Sequence, residues 1–90
     1  MTQVKFKEHT SAQASINYYT DGTVALQSYQ TIVVEVRENW IKVNGLYSAT
    51  TRKHIGWFAK MFNLTYRDLK QLYEDSKIYN MSTGEYKDAQ

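Results

Sequence analysis

The sequence predicts an α+β domain, a small antiparallel sheet of about three strands followed by two consecutive α-helices. Three observations lead there. Thr31 to Arg37 is a β-branched run ending in alternation, and a second apolar run, Trp40 to Leu46, follows after only Glu38-Asn39. From Ser48 onward the apolar spacing changes to that of a helix, first to about Phe62 and again from Thr65 to about Asp75. Asp21-Gly22 and Asn44-Gly45 are turn signals that separate these blocks.

The bounds agree with one domain. A chain of 90 residues holds one modest core, and 42% hydrophobic with 14% aromatic residues is enough to form it. There is no cysteine, which excludes disulfides and thiolate zinc sites. His9 and His54 are far apart and stand without a carboxylate cluster, so no metal and no cofactor is expected. The net charge of +2 places any affinity for nucleic acid in local clustering of cations. No apolar run approaches membrane-spanning length, and the N-terminus lacks the apolar core of a signal peptide, so a soluble cytoplasmic protein is expected.

Residues 1–20 are rich in Ser, Thr, Gln and Asn and read as a loosely ordered arm, with Val4 and Phe6 able to form a short edge strand. The domain proper is expected over residues 21–76. Val24 and Leu26 share one face of a first strand. In the next hairpin, a Glu38-Asn39 loop pairs Val36 with Ile41 and Val34 with Val43. The other face then holds Glu35 against Lys42 and Arg37 against Trp40, an opposite-charge pair and a cation–π contact. Agreement between both faces fixes the register.

Ser48, Thr50 and Thr51 compete to cap the first helix, whose buried stripe is Ile55, Phe58, Ala59 and Phe62. Its other side carries Arg52, Lys53, Gly56 and Lys60, with Trp57 at the edge. Asn63 tolerates the left-handed backbone that ends a helix. Thr65 and Asp68 then form a capping-box pair, and Leu64 with Leu69 a hydrophobic staple. The expected core is Val24, Leu26, Ile32 or Val33, Val34, Val36, Ile41, Val43, Ile55, Phe58, Phe62, Leu69 and Leu72. Residues 77–90 read as a short hairpin or an extension, turning at Ser82 to Gly84.

Two constellations bear on function. The helical pair fits a helix-turn-helix mask over residues 55–74, which would aim Thr65, Arg67, Lys70 and Gln71 at a DNA groove, Arg67 toward guanine and Gln71 toward adenine. The first helix adds Arg52, Lys53 and Lys60 for phosphates and Trp57 as a flat surface for a base. As plain structure, the same residues make an αα-hairpin with a solvated basic side. The eight tyrosines support a different class, a protein-binding surface centred on Tyr66, Tyr73, Tyr79 and Tyr86.

Catalytic arrangements are not evident: the glycines are isolated, and Ser48 near His54 lacks an orienting carboxylate. A non-enzymatic binding protein is therefore expected, and homodimerisation suits a domain this small.

Leu26, Ser28-Tyr29 and Thr31, then Tyr47-Ser48-x-Thr50-Thr51-x-Lys53-His54, resemble a small domain recurrent in phage and mobile-element genomes. The resemblance covers about residues 24–60. It implies a phage or mobile-element accessory protein in a bacterial cytoplasm. That setting adds, as the alternative to nucleic-acid binding, an inhibitor of a host or defence enzyme, of the anti-CRISPR kind.

Overall fold

A computed structural model describes residues 1–89. The strands are β1 (Thr2–Lys5), β2 (Ala14–Tyr18), β3 (Val24–Ser28), β4 (Thr31–Arg37), β5 (Trp40–Val43), β6 (Lys77–Asn80) and β7 (Tyr86–Asp88). Helices α1 (Ala49–Lys60) and α2 (Tyr66–Glu74) lie between β5 and β6. All strands pair antiparallel in one sheet whose spatial order is the chain order, β1 to β7. The α+β layout holds, but the expected three strands become seven. No helix among the described residues is long and apolar enough to cross a membrane.

The additional strands come from both ends. Residues 1–20, expected as a loose arm, supply β1 and β2, paired from Thr2↔Tyr18 to Lys5↔Ser15. Ala14 and Ile16 of β2 join the core, and Phe6 follows β1 into it. Ser15 and Asn17 alternate onto the other face, where Asn17 is satisfied sideways: Gln3 Nε2 donates to its Oδ1 at 3.0 Å, and its Nδ2 donates to Gln27 Oε1 at 3.0 Å. Lateral amide pairing lets a polar strand sit inside a sheet without unpartnered groups. At the other end, β6 pairs with β5 through Ile41↔Tyr79 and Trp40↔Asn80, and β7 closes the hairpin.

The central hairpin has the expected register: Val34↔Val43, Glu35↔Lys42, Val36↔Ile41 and Arg37↔Trp40. Glu38 and Asn39 both have positive φ, 52° and 69°, as a two-residue type I′ turn requires. The expected Arg37–Trp40 cation–π contact is replaced. Arg37 reaches Asp21 at 3.3 Å, and Lys87 lies 4.3 Å over the Trp40 ring. Val33 is the residue skipped where β3 and β4 slip register, and it is fully buried. Such a bulge is how Val33 and Val34 can both be buried on one strand.

Both helices cover one face, α1 over β3 and α2 over β5 and β6. Ser48 caps α1 through Thr51 N–H. Asn63 takes φ 59° between the helices. Thr65 and Asp68 form the reciprocal capping box, and Leu69 and Leu72 are buried beneath α2. Phe62, expected in the core, follows the end of α1 and is half-buried, edge-on to Phe58 at 5.2 Å. Gly56, expected on the basic side of α1, faces α2. A Cβ there would lie 3.7 Å from Tyr66 Cβ, so α2 packs beside it.

Candidate nucleic-acid interface

The first two turns of α1 are tied to β3 by buried polar side chains. Ser28 Oγ hydrogen-bonds His54 Nδ1 at 2.8 Å and Thr51 Oγ1 at 2.9 Å. All three residues are buried, Ser28 and His54 to 2% exposure. Burial, then the charges of Lys53, His9 and Lys5, hold His54 below its ordinary pKa, so the imidazole is neutral at pH 7. The serine beside His54 is thus Ser28 and not Ser48, which is occupied as the helix cap. With no exposed hydroxyl, Ser28 is a strut between helix and sheet.

An aromatic path leads outward from His54. Trp57 stands next to it, ring centres 5.1 Å apart, and lies flat against His9 at 3.6 Å with only 3° between planes. Phe6 meets Trp57 edge-on at 5.7 Å. The loop carrying His9 is held by its own turn bonds, His9 N–H to Phe6 C=O and Ala12 N–H to His9 C=O, and by Lys5 Nζ donating to Ala12 C=O at 2.9 Å. Trp57 is therefore covered by the N-terminal segment and half-buried, and is not the bare platform expected from α1 alone.

This packing leaves a groove of about 520 Å³ between the β1–β2 loop and α1. Lys5, Lys7, His9, Trp57 and Lys60 border it, with Glu8 the one carboxylate on its wall. Lys53, Trp57 and Lys60 lie at i, i+4 and i+7, so Lys53 extends the cationic edge along α1, and Arg52 is exposed beside it. Among the described residues, ion pairs form at Arg37, Lys70 and Lys77, and none at these five lysines and arginines around the groove. The structure thus brings Arg52, Lys53, Trp57 and Lys60 together and adds Lys5, Lys7 and His9. Lysines alternating with Val4 and Phe6 were the only sequence sign of the latter group.

The exposed side of α2 is committed differently. Asp68 accepts from both the N–H and the hydroxyl of Thr65, so a carboxylate already sits at that helix end. Gln71 Nε2 donates to both oxygens of Asp75 at 3.1 Å, and Lys70 approaches Glu74 at 3.9 Å. Of the two cations in that set, Arg67 is exposed and has no ion pair among the described residues. The four tyrosines also separate. Tyr66 is wedged beside α1, Tyr73 is exposed on another side of α2, and only Tyr79 and Tyr86 meet, 4.9 Å apart.

The family model described as a family of unknown function (DUF8033) matches residues 3–80. The chain belongs to that family. The match runs from within β1 to the end of β6, so Lys5 to His9 on the groove are part of the family domain. No curated protein and no solved structure matches the chain.

Proposed function

We propose that this family member is a non-enzymatic nucleic-acid-binding accessory protein that takes a single strand along the groove between α1 and the β1–β2 loop. The observation that carries this reading is the convergence of cations from two distant chain segments on one aromatic-walled groove. Lys5, Lys7, Arg52, Lys53 and Lys60 supply phosphate contacts. The His9–Trp57 stack, both rings half-buried at the groove wall, supplies a flat surface on which an unpaired base can continue. A duplex keeps its bases stacked inside and cannot use that surface. The reading moves the contact from the helix-turn-helix face of α2 to α1, because Gln71, Lys70 and Thr65 are already engaged by carboxylates.

The non-enzymatic part of the proposal is supported by the burial of the Ser28–His54 pair, which closes it to any substrate. The resemblance of residues 24–60 supplies the setting proposed with it, a phage or mobile element acting in a bacterial cytoplasm.

Fluorescence anisotropy with labelled random single-stranded and duplex DNA, at two salt concentrations, tests the reading. Single strands should bind more tightly, with log K falling by about 0.7 per log salt for each phosphate neutralised. Lys53→Glu combined with Lys60→Glu should weaken binding at least about tenfold, since reversing charge turns two attractions into repulsions. Absence of binding to either DNA at low salt, or binding indifferent to salt and to charge reversal, rejects it.

A further inference from the structure

On the far side of α2 lies a second groove, of about 330 Å³, between that helix and the β6–β7 hairpin. Its lining is apolar and aromatic, with Leu64, Leu72 and the paired rings of Tyr79 and Tyr86. Asp68 and Asp75 stand on its helical wall with Gln71 between them. Asp68 and Asp75 are seven residues apart on one face of the helix, so their backbone positions are two turns or about 10 Å apart along its axis. Among the described residues neither is paired with a lysine or arginine. Asp75 also occupies the C-cap of α2, where the helix dipole is negative, and no basic residue stands in the last turn to offset it.

We propose that this groove docks an extended basic segment of a partner protein, bearing two Arg or Lys side chains separated by two residues. Carboxylates beside aromatic faces are the chemistry that recognises guanidinium and ammonium groups, by charge-assisted hydrogen bonds and cation–π contact. An extended chain advances about 3.1–3.4 Å per residue, so cations at positions i and i+3 are about 10 Å apart, the spacing of Asp68 and Asp75. The apolar residues between them would cover Leu72 and the tyrosine rings. Both carboxylates retain lone pairs after accepting from Thr65 and Gln71. The cation at Asp75 would relieve the unfavourable charge at the helix end. A single metal ion cannot bridge carboxylates at this separation, and nucleic acid would be repelled by them. The site is separate from the cationic groove, and its occupant carries the opposite charge.

The probe is a fluorescein-labelled Gly-Arg-Leu-Ala-Arg-Gly peptide, compared with the same peptide carrying Glu at both Arg positions. The intact protein should bind the first in the micromolar range and not the second. Asp75→Asn and Tyr86→Ala should each weaken binding several-fold, and together at least about tenfold. Both positions are exposed, and circular dichroism of each variant checks that the fold is kept. Lys53→Glu with Lys60→Glu should leave peptide binding unchanged while reducing DNA binding, so failure at one groove is distinguished from failure at the other. Equal binding of the two peptides, binding that survives the double variant, or no binding of the arginine peptide overturns the proposal. Self-association of the protein that Asp75→Asn abolishes overturns it in favour of a second copy.

Discussion

Ser28 at the end of β3 and His54 on α1, 26 residues apart in sequence, are hydrogen-bonded at 2.8 Å in the interior. The bond ties helix to sheet through a buried imidazole, whose charged form burial disfavours. The folded state holds the His54 pKa below its ordinary 6.5, chiefly through burial. Between the lowered value and the ordinary one, the unfolded chain binds more protons, so stability rises with pH through that window. The contribution is fully present above about pH 6.5 and is lost as pH falls toward the folded value. Urea midpoints measured between about pH 5 and pH 8 should therefore drop on the acid side. His54→Ala should be less stable at neutral pH by roughly 2 kcal/mol, and should lose that part of the pH dependence. Ser28→Ala should cost about 1 kcal/mol, because His54 then lacks its partner.

Truncation separates an ordered N-terminal segment from a loose arm. Removing residues 1–9 deletes Phe6 and His9, which cover Trp57, and leaves β2 as a bare sheet edge. Tryptophan emission should move to longer wavelength, and the urea midpoint should fall. Neither would change if the segment were a dangling arm.

The Glu38-Asn39 turn is improvable. Both residues hold positive φ, which glutamate disfavours and an Asn-Gly pair accepts readily. Glu38→Asn with Asn39→Gly should raise stability by about 1 kcal/mol in chemical denaturation. An unchanged midpoint would mean that the flanking pairs, not the turn, set the hairpin.

Gly56 is a further site for stabilisation. It lies in the middle of α1, its φ is ordinary, and an added Cβ would make normal contact with Tyr66. Gly56→Ala should stabilise by about 0.5–1 kcal/mol, read as a higher melting temperature, through helix propensity and a less disordered unfolded chain. DNA binding should persist, because the cations around the groove are untouched.

The parts of this fold legible in the sequence are those where neighbouring residues determine one another. The β4–β5 register follows from apolar and charged alternation on both faces, and the start of α2 from Thr65 and Asp68. The sheet ends were obscured because their polar residues are matched by distant partners. Asn17 looks like loop composition until Gln3 and Gln27 stand beside it. Its strand does alternate, Ala14 and Ile16 inward against Ser15 and Asn17, but over too few residues to outweigh composition. On α1 the basic residues could be read at once, whereas the covering of Trp57 by His9 joins residues 48 positions apart in the chain. Likewise, the engagement of Gln71 by Asp75 is local, yet polar pairs on a helix surface form too variably to be assigned by spacing.

The sheet's spatial order equals its chain order, with one long detour, residues 44–76, between β5 and β6. Every other strand pairing joins near neighbours, so little loop entropy opposes the zipping of β1 through β5, and that part of the chain should fold rapidly. The last hairpin cannot choose its place so cheaply. Ile41 meets Tyr79 only after the whole helical insertion has closed a loop. Because β1 to β5 precede the helices in the chain, the apolar face of the meander stays uncovered until α1 and α2 dock on it. The helices thus act as the clock of assembly: their docking shields the meander and delivers β6 to the edge it must complete.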